Sequence, residues 1–220
     1  MTNDMHGGFA IALAWPETFC KQAGTWYDAP MRWLGLCQNH YYKVGHAATV
    51  LVDPENGACY YFDFGRYHAP FGRGRVRDQE TDHDLKIFTK ARIRSSIEIE
   101  NIEEILTELF QNPSCHGTGQ LLAAYCRINF RKTFAKAKKL QEKSPWKYGP
   151  FVWNGTNCSR FVRTVILAGA PEWNYRLKLG LPSTVSPTPL GNVRALGHIF
   201  SKTDEYQRDP ACTQAALLHT

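Results

Sequence analysis

Cys158 stands where a short polar turn meets an apolar helix pattern, a position that suits a cysteine nucleophile. The polar residues 154–157 precede it, and apolar residues at helical spacing follow it: Phe161, Val162, Val165 and Ile166. Thr156 or Asn157 is suited to cap the helix, so Cys158 falls in the first turn. Free backbone N–H groups and the helix dipole there favour a thiolate. The alternative is a buried structural thiol, because free cysteine is among the most buried residue types.

His46 is the histidine best placed to act as a base for such a nucleophile. The chain has eight histidines, and the others lie near polar ends or in loop-like stretches. His46 instead follows Gly45 and begins the apolar run of residues 47–52. A histidine that enters a buried strand is costly unless it has a partner, which favours a cysteine–histidine pair. The alternative is a core histidine that hydrogen-bonds to the backbone.

The chain after His46 predicts a β-hairpin. Residues 42–52 and 58–64 are strand-like, and residues 53–57, Asp-Pro-Glu-Asn-Gly, have strong turn chemistry between them. If Asp53 pairs with Ala58, the loop has about four residues and the facing of every strand residue is fixed.

In that register a carboxylate lies near the histidine. Asp63 and Tyr61 share a face with His46, and Asp63 is one diagonal step away, close enough to orient the imidazole. A shift of one residue would exchange Asp63 for an adjacent phenylalanine. The other alternative is a strand-end charge that reaches solvent or Arg66.

The remaining patterns predict an α+β protein with a central antiparallel sheet and packed helices. Further segments have clear patterns: a strand at 9–15, helices at 102–110 and 119–143, and loops at 65–77 and 181–192. We expect a single domain over residues 1–220, with a loop-rich C-terminal extension from about residue 171.

Composition narrows the range of functions. A net charge of +6 permits an anionic substrate, but no nucleic-acid-binding motif occurs, so nucleic acid is not an expected partner. The seven cysteines are scattered without a CxxC pair, which argues against a zinc ribbon or disulfide framework and favours a reducing, cytoplasmic location. We expect no signal peptide, no membrane span, no metal and no cofactor, and the oligomeric state stays open.

Three segments together resemble a known superfamily: YYKVGHAATVLVD at His46, YYFDFGRY at Asp63 and NCSRFV at Cys158. They resemble the circularly permuted branch of the NlpC-type, papain-like superfamily, in which the histidine strand precedes the cysteine helix. Lecithin retinol acyltransferase-like proteins share this order, as does a bacterial family with GHA…YDFGRY…NCSRF-like signatures. Over roughly residues 10–167, the resemblance implies a permuted papain-like (NlpC-type) fold with Cys158 as nucleophile, His46 as base and Asp63 as the third, polar residue.

The implied activity is that of a cysteine hydrolase or acyltransferase acting on an amide or ester. The resemblance implies a short peptide, such as one derived from the cell wall, as the substrate, and a lipid acyl chain is the alternative. The expected substrate-binding residues are Arg66, Arg73, Tyr61 and Asn157, where the arginines could bind a carboxylate or phosphate. Loop-to-loop hydrogen bonds are the alternative role for the arginines. A non-catalytic binding module on the same fold and a nucleic-acid contact through the basic residues 127–139 are the rival functions.

Overall fold

A seven-stranded antiparallel sheet forms the centre of the protein in a computed structural model. The structure describes residues 7–21, 33, 37–38, 41–94, 97–149, 152–181 and 186–203. The strands are β1 (Gly8–Trp15), β2 (Phe19–Lys21), β3 (Cys37–Gln38), β4 (Tyr41–Lys43), β5 (His46–Val52), β6 (Cys59–Gly65), β7 (Arg73–Arg77), β8 (Ile93–Arg94), β9 (Glu98–Ile99), β10 (Leu121–Ile128), β11 (Trp146–Lys147) and β12 (Phe200–Lys202). The order in the large sheet is β11-β7-β6-β5-β1-β10-β12.

Helices cover both faces of this sheet. The α-helices of the described residues are α1 (Ile102–Gln111), α2 (Phe130–Glu142), α3 (Cys158–Ala168), α4 (Trp173–Gly180) and α5 (Pro189–Ala195). Helices α2, α3 and α5 share one apolar core with the sheet, and α1 shares the other. Strands β1 and β5 are buried along their whole length as a result. No helix in the described part of the chain has the length and apolar character needed to cross a membrane.

The β5–β6 hairpin has the register expected from its turn. The Asp53 N–H donates to the Ala58 carbonyl at 2.9 Å, and Ala48 lies opposite Asp63. Gly57 takes the left-handed conformation, with φ of +70°, that closes the turn. Continued to its end, this register puts Gly65 opposite His46, so the predicted facing of the strand residues is confirmed.

A break at Gly45 divides the single strand predicted over residues 42–52. Gly45 has φ of +73°, and a side chain there would meet the Trp15 carbonyl oxygen. The chain before it, β4, pairs with β2 and β3 in a small separate sheet, and the chain after it pairs with β1. His46 is therefore the first residue of a central strand at the point where the backbone changes direction.

The long helix predicted over residues 119–143 is wrong in its first half. Residues 121–128 form β10, which lies between β1 and β12, and α2 begins only after Asn129, whose side chain accepts from the Lys132 N–H. Strand β10 is packed on both faces, with Ala123 in one core and Ala124 in the other. A strand without a solvent face lacks the polar alternation that distinguishes it from a helix.

Two predicted loops also contain regular structure. Residues 73–77 of the arginine-rich segment form β7, which pairs with β6 and β11. Beyond residue 171, where a loop-rich extension was expected, the chain forms α4, α5 and β12, and β12 extends the large sheet beside β10. Pro189 is one reason why residues 181–192 look like a loop in sequence. Proline is nevertheless well suited to the first turn of a helix, and here it begins α5.

Candidate active site

Cys158 is the first residue of α3, as its sequence context predicts. Asn157 has an extended backbone, and its Oδ1 accepts a hydrogen bond from the Arg160 N–H at 2.8 Å, which caps the helix. The N–H of a first-turn residue has no acceptor within its own helix and is free for an external one. The side chain is 7% exposed and packs in the same core as the apolar face of α3.

His46 lies between two aromatic rings at the start of β5. Its imidazole stacks on Trp15, with ring centres 5.8 Å apart, and meets the edge of Tyr67 at 6.4 Å. Nε2 is 3.3 Å from Asp63 Oδ2, an ion-pair distance, although its direction departs from that of a hydrogen bond. Because Nε2 faces the carboxylate, Nδ1 is the ring nitrogen left for Cys158.

Asp63 is fully buried and held by several donors. The Tyr61 hydroxyl donates to Oδ2 at 3.2 Å, while Arg77 donates from Nε to Oδ1 at 3.0 Å and from Nη2 to Oδ2 at 2.6 Å. Burial alone would raise the pKa of Asp63, but His46 and Arg77 hold this pKa below its ordinary value. The group therefore stays ionised in the neutral pH range.

The electrostatics favour a thiolate–imidazolium pair. Burial would lower the pKa of His46, but Asp63 and Cys158 together raise this pKa to about 9. Burial would likewise raise the pKa of Cys158, but interaction with His46 lowers it below the ordinary thiol value, with help from the Ala47 N–H. The two shifts describe one coupled pair, in which each side chain stabilises the charged form of the other.

A cavity of about 710 Å³ borders the outer face of α3, but another, of about 620 Å³, opens on His46. Aromatic and basic side chains dominate the wall of the second cavity, including Arg66, Tyr67, Arg73 and His116. Cys158 is not among its lining residues. Within the described chain, no group of three or more His, Cys, Asp or Glu side chains is arranged to hold a metal ion.

The residues expected to bind substrate are found in different settings. Arg66 and Arg73 both line the cavity at His46, where Arg66 lies over the Tyr148 ring and Arg73 donates to the Pro145 carbonyl at 3.2 Å. Tyr61 is only 1% exposed and its hydroxyl is bonded to Asp63, so its contacts are with the site itself. Asn157 uses its side-chain oxygen to cap α3.

Sequence reasoning did not identify Arg77, Tyr67 or His116 as parts of the site. Arg77 falls within the loop predicted over residues 65–77, although as part of β7 it lies directly opposite Asp63. The guanidinium stacks on Tyr67, with Cζ 3.5 Å from the ring centre, and Tyr67 stacks on His116 at 4.8 Å. The signal that could have revealed Arg77 is the alternation of residues 73–77, which is obscured by Gly74 and by Gly72 just before it.

Comparison with known proteins agrees with this architecture. A family described as type VI secretion system effector TseH-like matches residues 10–175. The crystal structure of the type VI secretion system effector TseH is similar, with a TM-score of 0.52 and 18% identity over 86% of this chain and 87% of that chain. No curated protein matches the chain significantly.

The fold is therefore that of a papain-like α+β protein, with cysteine, histidine and aspartate side chains gathered where α3 meets the start of β5. Because the family match covers most of the sequence, the chain belongs to the TseH-like family of type VI secretion system effectors. This family is of the papain-like cysteine hydrolase type.

Proposed function

We propose that this protein is a cysteine hydrolase that cleaves an amide bond in a short peptide. Cys158 is the nucleophile, His46 is the general base and acid, and Asp63 orients His46. One observation carries the proposal: the helix-capped thiol of Cys158 interacts with an imidazole whose Nε2 lies 3.3 Å from Asp63 Oδ2. Membership in an effector family of the hydrolase type supports the same conclusion.

The first half of the reaction forms an acyl-enzyme. The Cys158 thiolate attacks the carbonyl carbon, and the carbonyl π electrons move to oxygen as the C–S bond forms. The N–H of Cys158 at the start of α3 is suited to donate to this oxyanion. The His46 imidazolium then gives its proton to the amide nitrogen as the C–N bond breaks, leaving a thioester and a free amine.

The second half releases the acid. Neutral His46 removes a proton from water, the hydroxide adds to the thioester carbonyl, and the C–S bond breaks to restore the thiolate beside an imidazolium. Throughout the cycle, the ionised Asp63 keeps the ring oriented and stabilises its protonated form. An acceptor other than water would make the same site an acyltransferase.

The cavity at His46 supports a substrate with a negative charge. Arg66 and Arg73 lie on its wall, and its described lining contains no aspartate or glutamate. A carboxylate-bearing peptide fits this charge, and a cell-wall-derived peptide is the substrate that we propose. We also propose that the chain is made in the cytoplasm and acts where a type VI secretion system delivers it.

The test is digestion of purified cell-wall peptide fragments by the full chain, followed by mass spectrometry. We expect cleavage of one type of amide bond, with the mass of one water added across the two products. Cys158→Ala should abolish this cleavage, and Cys126→Ala, a change at another buried cysteine, should preserve it.

Three other outcomes would contradict the proposal in different ways. Cleavage that survives Cys158→Ala would remove the nucleophile. Turnover of p-nitrophenyl acyl esters with no cleavage of peptides would favour a lipid acyl substrate. Tight binding of the fragments without turnover would favour a binding module, a role that agrees with the low exposure of Cys158 and His46, 7% and 5%.

A further inference from the structure

Arg77 forms the most extensive contact with the acid of the proposed site. It donates two hydrogen bonds to Asp63, at 3.0 and 2.6 Å, one to each carboxylate oxygen. The Arg77 residue is 3% exposed and Asp63 is completely buried, so little solvent screens the pair. Oδ2 is therefore shared between the Arg77 guanidinium on one strand and the His46 imidazole on another.

The guanidinium is itself held in place by its surroundings. It stacks on the Tyr67 ring, with Cζ 3.5 Å from the ring centre, and Nη2 also donates to the Ser114 carbonyl at 3.1 Å. Gly65 permits the approach of Tyr67, because a Cβ at this position would lie 2.2 Å from the ring. Arg77 is thus a rigid, permanently charged partner for Asp63.

We propose that Arg77 is a positioning residue that fixes the Asp63 carboxylate toward His46 and offsets part of its negative charge. This inference rests on the proposed function, because it assigns Arg77 a role through Asp63 and His46. The geometry that carries it is the bidentate, buried contact on the same oxygen that faces His46 Nε2.

Charge offset has a chemical purpose in a cysteine hydrolase. A buried, unpaired carboxylate beside His46 would bind the imidazolium proton tightly, and His46 must release this proton to the leaving amine. With Arg77 in contact, Asp63 still orients the ring, but the field that His46 experiences is closer to that of a neutral pair. Arg77 would therefore keep the pKa of His46 in a range where proton transfer in both directions is efficient.

Other titratable groups surround the same carboxylate and imidazole, and any test must separate them from Arg77. They come from every neighbouring element: Tyr61 on β6, Tyr67 after it, Cys115 and His116 at the short helix Pro113–Cys115, and Cys158 on α3. Burial and then Arg77 lower the pKa of His116, so its ring is neutral in the range in which His46 titrates. Arg77 is the permanent positive charge in direct contact with Asp63.

The test is the rate of iodoacetamide alkylation at Cys158 from pH 4 to 11. A thiolate–imidazolium pair gives two transitions: one where the thiolate forms and one where the imidazolium loses its proton. Arg77→Met removes the charge at similar volume and should move the upper transition to higher pH by about one unit or more. Arg77→Lys keeps the charge and should leave the transition close to that of the wild-type protein.

An upper transition that stays in place or moves down in Arg77→Met would overturn the inference, as would an equal shift in Arg77→Lys. If Arg77→Met does not fold, Arg77→Gln takes its place, because its amide can still donate a hydrogen bond to Asp63 but carries no charge. Loss of the guanidinium charge should again raise the upper transition, and no change would overturn the charge-offset role.

The same profile separates this inference from the proposed function. If wild-type Cys158 shows no reactive thiolate below the ordinary thiol pKa, the cysteine–histidine pair itself fails. If the wild-type protein shows both transitions and Arg77→Met leaves them unchanged, the pair stands and only the role of Arg77 fails.

Discussion

Cys126 and Cys158 are two thiols in one apolar core, and they differ in almost everything except burial. Cys126 is 3% exposed and Cys158 is 7% exposed. Cys126 lies within β10, where burial raises the pKa of its thiol well above the ordinary value. Cys158 begins α3 beside His46, and the pKa of its thiol is lowered although it too is buried.

The difference shows that burial alone does not decide the direction in which the pKa of a thiol is shifted. Burial disfavours the thiolate at both positions, and only Cys158 has a cationic partner and a helix N-terminus to outweigh that effect. Cys59 and Cys115 follow Cys126, since burial raises the pKa of each to about 12. The lowered pKa of Cys158 is therefore a property of the junction between α3 and β5.

The largest expected effect is on turnover of the cell-wall peptide fragments. Cys158→Ala should lower kcat by at least about 10³-fold, because burial raises the pKa of the thiols of Cys59, Cys115 and Cys126 and leaves them unsuited to replace the nucleophile. Cys126→Ala should leave kcat within about twofold while lowering the free energy of unfolding by about 1 kcal/mol through the small cavity it creates. Steady-state kinetics and urea unfolding of both variants measure the contrast, and equal kcat values would remove it.

The next largest effect is expected from a change at Asp63, the carboxylate that orients His46. Asp63→Asn should lower kcat by about 10- to 100-fold, since the imidazole loses its charged orienting partner. From sequence alone this change would be expected to spare stability, but the structure alters that expectation. The Asp63→Asn substitution leaves the buried Arg77 without its carboxylate, so we expect a loss of about 3–5 kcal/mol in the free energy of unfolding.

The control for this prediction is the double variant Asp63→Asn/Arg77→Met. It removes both charges, and it should recover much of the lost stability while kcat stays low. A single Asp63→Asn variant as active as the wild-type protein would show that Asp63 is only a structural charge.

A purely structural contrast comes from the other face of the hairpin. Phe62 is completely buried against Phe134, with ring centres 5.6 Å apart, and belongs to the core opposite to that of Tyr61. Phe62→Ala should lower the free energy of unfolding by about 3 kcal/mol. Alkylation of Cys158 in the folded variant should keep its wild-type pH dependence, and a shifted profile would show that the two faces are coupled.

The smallest expected effect is a pH dependence of stability. The folded-state pKa of His46 is about 9, above the ordinary 6.5, so the stabilisation from its protonated form is complete below pH 6.5 and is lost as the pH rises through 9. Because Cys158 titrates together with His46, the difference is measured in the Cys158→Ala background: relative to Cys158→Ala/His46→Gln, Cys158→Ala should lose on the order of 1 kcal/mol between pH 7 and 10, as the imidazolium that Asp63 stabilises loses its proton. Urea unfolding across this range measures the difference, and a constant difference would contradict the raised pKa.

Sequence reasoning succeeded where local chemistry fixes geometry. The turn at residues 53–57 determines the hairpin register, and this register brings Asp63 to His46. Asn157 as a cap similarly determines that Cys158 begins a helix. Both follow from short stretches in which a few side chains satisfy specific backbone groups.

Sequence reasoning failed where packing between distant segments decides the local structure. Strand β10 is buried on both faces, so its apolar spacing fits a helix as well as a strand. The partner of Asp63 depends on the pairing of β6 with β7, and Gly74 within β7 and Gly72 before it mask the strand character of this segment. The roles of Arg77 and Tyr67 follow from this pairing, which the short alternation of residues 73–77 indicates only weakly.

The most direct test of the central claim is competitive labelling of the folded chain with limiting iodoacetamide at pH 6, with each cysteine quantified by peptide mass spectrometry. We predict that Cys158 reacts before the other six cysteines and that His46→Ala slows its labelling by about 10²-fold or more, because the thiolate loses its cationic partner. Labelling of Cys158 no faster than that of Cys126, or a rate unaffected by His46→Ala, would contradict a cysteine–histidine pair.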